Sequence, residues 1–148
     1  MLVGMLMAPR VVTCNASDTL ERAAQLMWEH DVGFLPVVAS ERVVGVITDR
    51  DVLMRTYTCG ISLRDEIVGT AMSHELVTCT LHEDAVVIEH RMAAHQIRRL
   101  PVIDASGKPV GVVTLADLAR SSLRGHELSP RGPTCTLAAI TRPRTPAG

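Results

Sequence analysis

The chain has 148 residues, 47% hydrophobic and 21% charged, which suits one ordinary globular domain or two very small ones sharing a core. Fifteen basic against sixteen acidic side chains leave a formal charge of -1, and a single Trp, Tyr and Phe offer no base-stacking platform, so a general nucleic-acid binder or a polybasic membrane-surface protein is argued against. No apolar run approaches the roughly 18 residues of a membrane span, no basic residue precedes 1–7 as in a secretory signal, and Cys14, Cys59, Cys79 and Cys135 form no C-x-x-C pair, so the expectation is a cytoplasmic protein with reduced thiols.

Residues 1–7 are an apolar lead-in, and the β-branched run 11–14 predicts a short strand. Leu20, Ala23, Ala24 and Met27 then recur at i, i+3, i+4 and i+7, which predicts a helix with one apolar face. Asp18 or Thr19 caps its start, with Glu21 placed to complete a capping box if Asp18 is the cap. Buried strands follow at 35–38 and 43–48, joined by the polar turn Ala39-Ser40-Glu41-Arg42, and a helical pattern resumes from Asp51. Residues 57–66 read as a linker and 67–72 as a second lead-in. After it come a strand at 76–80, a helix at 85–95, strands at 100–103 and 109–114, and a helix at 115–122. Beyond Arg124 the composition shifts to Pro, Thr, Gly and Arg. That predicts a flexible tail over 124–148 unless it docks, with 135–140 its only candidate edge strand.

The chain contains itself twice. Val12-Thr13-Cys14 returns as Val77-Thr78-Cys79, and Met27, His30, Leu35, Pro36 and Val37 return as Met92, His95, Leu100, Pro101 and Val102, each 65 positions on. After one inserted residue, Val44-Gly45-Val46-x-Thr48-x-x-Asp51 returns as Val110-Gly111-Val112-x-Thr114-x-x-Asp117. The predicted fold is therefore α/β (α+β), two β-α-β-β-α repeats at 1–56 and 67–123. A repeat this small, apolar on one sheet face, cannot bury that face alone, so the two are expected to pack sheet to sheet about a pseudo-two-fold axis.

These ordered features, a Val-Thr-Cys strand, a helix ending Met-x-x-His, a Leu-Pro-Val strand and Gly-Val-x-Thr-x-x-Asp, resemble the cystathionine beta-synthase (CBS) domain, and two in tandem resemble a Bateman module. The resemblance spans about residues 6 to 122 and is strongest to short stand-alone bacterial members, the hypoxic-response type among them. It implies a regulatory module that binds adenine nucleotides in clefts between the repeats, pairs into a homodimeric disc of four repeats, and signals to a regulated protein partner. AMP, ADP and ATP head the implied ligands, with S-adenosylmethionine, NADH and cyclic dinucleotides open.

The residues carry their own chemistry. Glycine inside a strand, as at Gly45 and Gly111, means that another backbone or a ligand comes close. Thr48 and Thr114 fall where a strand feeds a helix, so a hydroxyl and free N–H groups converge as at an anion site. Asp51 and Asp117, about one helical turn on, have the reach to accept both hydrogen bonds of a ribose diol. The same residues also read as plain helix caps with an acidic first turn. Arg50 is a candidate phosphate ligand of the first copy only. Arg98 and Arg99 replace Gly33 and Phe34 of the first copy, and one of them is the candidate phosphate clamp, against an ion pair with Asp104 or Glu89. Strand alternation predicts that only one of the two looks into a given cleft.

For the adenine ring the family resemblance implies the first-strand edges, Val12, Thr13 and Cys14 or Val77, Thr78 and Cys79, with Pro36 and Pro101 beside them; core packing is the competing reading. His30 and His95 sit where a helix end accepts a donor. Cys79-x-x-His82 is the closest Cys/His pair and too little for a metal site, and no nucleophile–base pair suggests catalysis. The competing function is a dimerisation or protein-interaction module whose clefts have lost their ligand.

Overall fold

The two apolar series become two three-stranded sheets in the computed structural model, which describes residues 1–125 and 131–143. In chain order the first repeat gives β1 (Cys14–Asn15), α1 (Leu20–His30), β2 (Phe34–Ala39), β3 (Arg42–Thr48) and α2 (Asp49–Cys59). A short α3 (Val68–Ala71) precedes the second repeat, which gives β4 (Cys79–Thr80), α4 (Ala85–His95), β5 (Arg99–Ile103), β6 (Pro109–Thr114) and α5 (Leu115–Leu123). Strand order is sequential in both sheets. In the first, β1 runs parallel to β2 with Cys14 opposite Val37, and β2 runs antiparallel to β3 with Leu35 opposite Ile47. The strands expected at 11–14 and 76–80 are shorter and later, because only two residues of each reach a ladder partner.

Thr19 caps α1, its hydroxyl accepting from the Arg22 N–H at 3.1 Å. Asp18 is turned to the Asn15 N–H instead, at 2.8 Å, so no box forms with Glu21. The buried stripe is Leu20, Ala23, Leu26 and Met27; Leu26 enters it where Ala24 was expected, and Ala24 is half-buried. α1 and α4 both end on a left-handed residue, Asp31 at φ 51° and Gln96 at φ 52°.

The chain divides into two compact units. One holds 10–77 and 103–110, with a core of Cys14, Leu20, Leu26, Met27, Leu35, Val37, Ile47, Val52 and Val68 among others. The other holds 1–9, 78–102 and the described residues from 111 on, and buries Ile88, Met92, Leu100, Val102, Val113 and Leu118. Each lead-in therefore lies with the sheet of the repeat it does not precede. Ala8 bridges to Val112 on β6, and Ser73 bridges to Val46 on β3. This accounts for the strand glycines. A Cβ on Gly45 would stand 2.7 Å from the Ser73 carbonyl oxygen, and one on Gly111 2.7 Å from that of Ala8. In both copies a backbone carbonyl and a methionine sulfur, Met72 Sδ at 2.9 Å or Met7 Sδ at 2.6 Å, close over the glycine.

Of the tail expected to be flexible, residues 126–130 and 144–148 lie outside the described residues. The part between them is not a candidate edge strand but a helix, α6 (Arg131–Ile140), packed on α4 and α5. Pro133 is in its first turn, where the missing N–H has no helical partner to lose. Pro133, Thr136 and Ile140 then recur at i, i+3 and i+7 and are buried.

Candidate functional site

The two Thr-x-x-Asp segments form capping boxes. The Thr48 hydroxyl accepts from the Asp51 N–H at 3.1 Å, and Asp51 Oδ2 accepts from the Thr48 N–H at 2.9 Å. In the second copy the Asp117 N–H donates to Thr114 Oγ1 at 3.1 Å, while Asp117 Oδ2 accepts from the Thr114 N–H at 2.8 Å and from its hydroxyl at 2.7 Å. Asp117 Oδ1 is also paired with Arg120. Each box satisfies two helix-terminal donors and stabilises by about 0.5–2 kcal/mol. A ribose diol would find Asp51 with one oxygen not engaged among the described residues, and Asp117 with both engaged.

In the second repeat Arg98, Arg99 and Thr114 come together. They line a cleft of about 420 Å³ with Leu115, Ala116 and Ala119 of α5 and with Pro133, Thr134 and Leu137 of α6. That volume falls within the roughly 300–1,000 Å³ of small-molecule sites. Both arginines enter the wall, against the alternation expected, because Arg98 lies in the bend before β5 and is not under the strand's two-residue period. Neither makes an ion pair among the described residues, and the carboxylates weighed as partners are committed elsewhere. Asp104 accepts from the Ser106 hydroxyl at 2.6 Å and the Lys108 N–H at 3.0 Å. Glu89 faces α6, where a Cβ on Gly132 would lie 2.7 Å from Oε2. Burial pushes the Glu89 carboxyl above its ordinary value, opposed by a hydrogen bond from Thr136 and by His90. Asp117 is not in this wall. It lines a smaller recess of about 160 Å³ with Met1, Met5, Leu6, Arg120, Ser121 and Arg124.

The first repeat lacks this pair of positive charges. Gly33 stands where the second copy has Arg98, and a Cβ there would meet Asp49 Oδ2 at 2.8 Å. The Asp49 carboxylate thus lies over the glycine, its Oδ1 accepting from the Arg50 N–H at 2.8 Å. Arg50 is exposed at the start of α2. Where Asp49 stands, the second copy has Leu115, so beside the shared Thr-x-x-Asp the first copy adds Asp49 and Arg50, whereas the second adds Arg98 and Arg99 where β5 begins.

None of the residues expected to line an adenine forms part of the 420 Å³ cleft. Cys14, Cys79, Pro36 and Pro101 are buried. Burial, chiefly, pushes both thiols up to about 12, and Cys79 Sγ lies 3.8 Å from the Pro101 carbonyl oxygen. Val12, Thr13, Val77 and Thr78 are half-buried, and the Thr78 carbonyl already accepts from Arg91 at 2.6 Å. Among the described residues no group of three or more His, Cys, Asp or Glu is placed to hold a metal ion, and no helix is long and apolar enough to cross a membrane. The α6 wall is what the sequence reading missed. Its signal was the 133, 136, 140 spacing with Ala138-Ala139 inside it, masked by Gly132 and Pro133 at its start.

Comparison with known proteins agrees with this architecture. The sequence model of the family described as "CBS domain" matches residues 3–56 and 66–124. The chain is 40% identical over 113 residues to the CBS domain-containing protein YhcV of Bacillus subtilis, covering 76% of this chain and 79% of that one. The crystal structure of Hypoxic Response Protein I with two coordinated zinc ions superposes with a TM-score of 0.74 at 31% identity, over 81% of this chain and 98% of that one. The crystal structure of CBSX2 in complex with AMP superposes with a TM-score of 0.72 at 28% identity, over 83% and 96%.

Proposed function

The chain belongs to the CBS domain family, with two such domains in tandem, and from that premise we propose that it is a regulatory module whose second repeat binds an adenine nucleotide. The observation that carries this reading is the meeting of Arg98, Arg99 and Thr114 on one cleft of about 420 Å³, with neither guanidinium paired among the described residues. Two guanidiniums offer bidentate hydrogen bonds to phosphate oxygens, and a lysine would not match that planar geometry. The AMP complex of CBSX2 supports the ligand class. Two arginines favour ADP or ATP over AMP. The Asp49 carboxylate disfavours phosphate at the first repeat, so one nucleotide binds per chain. Asp117 reaches the ribose only by giving up Arg120, and Asp51 serves no phosphate.

The test is a calorimetric and thermal-shift panel of AMP, ADP, ATP, S-adenosylmethionine, NADH and cyclic dinucleotides. A ligand at 100 times its Kd adds about 2.7 kcal/mol to stability. We expect one site per chain, a response ordered ATP and ADP above AMP, and its loss in the Arg98→Ala, Arg99→Ala double variant. A panel with no response, or a response that survives the double variant, refutes the reading.

The first repeat favours an interaction role beside this one. α1 and α2 pack on each other and expose Trp28 (88%), Tyr57 (80%) and Leu53 (63%). Trp28 and Tyr57 are the chain's only Trp and Tyr, the residue types enriched at the energetic centres of interfaces. We assign these exposed side chains to homodimer formation. Light scattering on Trp28→Ser checks it: a shift toward monomer supports the assignment, and an unchanged mass refutes it.

A further inference from the structure

The helix α6 lies outside both family matches, which end at residue 124, yet it supplies a wall of the arginine cleft. Its two faces have different work. Pro133, Thr136 and Ile140 are buried against the unit's core. Thr134 and Leu137, one turn apart on the other side, are exposed and line the cleft opposite Arg98, Arg99 and Thr114.

Two polar residues of α4 hold α6 near its ends. At its start, Glu89 is 5% exposed, lies against the Gly132 backbone and is hydrogen-bonded by Thr136, with Oε1 unpartnered. At its end, Gln96 Nε2 donates to the Ala139 carbonyl at 3.2 Å and to that of Arg142 at 3.4 Å. In the first repeat the corresponding residues are Ala24 and Asp31. Glu21, Arg22 and Trp28 of α1 correspond to Val86, Val87 and Ala93, so α4 has lost charge and bulk where α1 kept them. The second repeat thus differs from the first at the positions that seat α6, as well as at the arginines.

We propose that α6 is part of the nucleotide site: Thr134 and Leu137 contact the bound ligand, and occupancy of the cleft and seating of α6 stabilise each other. This deepens the reading of the second repeat as a nucleotide site and rests on it. A phosphate held by the two guanidiniums brings the rest of the ligand against the α6 side, where Thr134 supplies a hydroxyl and Leu137 and Pro133 supply apolar surface. Since the Glu89 carboxyl already occupies the space against Gly132 in the first turn of α6, the phosphate belongs on the arginines and not on that helix terminus. Linkage makes the coupling reciprocal, so a ligand that touches α6 resists its release. The helix is then the element through which occupancy is made visible to a partner.

The test uses the full chain and ADP, with Thr134→Glu placing a carboxylate in the cleft wall and Ala138→Glu, exposed on α6 but outside that wall, as control. We expect Thr134→Glu to weaken ADP at least tenfold and Ala138→Glu to leave it within twofold. Saturating ADP should also slow amide exchange across 134–141 at least tenfold in the native protein. If ADP binds the native chain but both variants bind it equally, or exchange in α6 does not respond, the role given to α6 is wrong and the nucleotide site stands without it. If ADP does not bind the native chain, the nucleotide reading fails and this inference falls with it.

Discussion

Replacing Gly111 by alanine separates two reasons for a glycine in a strand, the close approach of a ligand or of another backbone. The added Cβ would meet Met7 Sδ at 2.6 Å and the Ala8 carbonyl oxygen at 2.7 Å. The thioether is the far end of a flexible side chain and moves cheaply. The carbonyl cannot move alone, because the Ala8 N–H donates to the Val112 carbonyl at 3.2 Å, so segment 7–8 must lift away from β6. Forced overpacking of this kind costs about 1–3 kcal/mol, which for a chain of this length lowers Tm by roughly 3 to 12 °C. Gly45→Ala should behave alike, since the Ser73 carbonyl oxygen lies at 2.7 Å and accepts from the Val46 N–H at 3.3 Å, while the Ser73 N–H donates to the Val46 carbonyl at 2.8 Å. Differential scanning calorimetry of both variants, with and without ADP, reads the result. A Tm within 1 °C of the parent together with a lost ADP response would mean that the ligand, and not the lead-in backbone, occupies the space.

Glu89→Gln keeps the contact with Thr136 and removes a buried charge. Burial raises the folded carboxyl above its ordinary value, so its contribution is fully present below about 4.5 and is lost as pH rises through the folded value. Unfolding between pH 4 and 8 should show the variant more stable at neutral pH and flatter than the parent; equal slopes would put Glu89 in water, away from His90 and α6. Asp117→Ala, which breaks the second capping box and the Arg120 pair, should cost about 0.5–2 kcal/mol by denaturant titration, and an unchanged midpoint would mean the box contributes nothing. For the thiols, a disulfide reagent at pH 8 should modify exposed Cys59 and Cys135 in the folded protein, whereas Cys14 and Cys79, pushed up to about 12 by burial, should react only on unfolding. Four fast thiols would contradict the burial of that pair.

The strands β2, β3, β5 and β6 and the helices α1, α4 and α5 were legible because duplication supplied each pattern twice and the periods are local. β1 and β4 were not bounded correctly, since a β-branched run fixes extended backbone but not how far a partner strand reaches. The glycines announced that something came close; no local pattern says that Ser73 borders β3 and Ala8 borders β6, because such pairing depends on chain path. Arg98 and Arg99 were found by comparing the copies, and only the bend at Arg98 frees both for one cleft. α6 escaped because Pro133 and Gly132 suggest a broken chain by composition, while first-turn geometry makes the same residues compatible with a helix.

The two copies differ in a connected way around their strand-to-helix junctions. In the first, Gly33 makes room for the Asp49 carboxylate, and α1 and α2 keep an exposed Trp28, Leu53 and Tyr57. In the second, Arg98 and Arg99 bring two positive charges, Leu115 replaces the acid, and α4 seats a helix beside the cleft. A carboxylate at residue 115 would neutralise part of the arginines' field, and a bulky Trp at residue 93, where α4 has Ala, would occupy surface on the helix that carries α6. One copy therefore presents two arginines where the other presents a carboxylate, while the exposed side chains of the first repeat include the chain's only Trp and Tyr. The division we propose, with one repeat taking the ligand and the other the partner, rests on that charge arrangement together with the seat of α6 on α4 and α5.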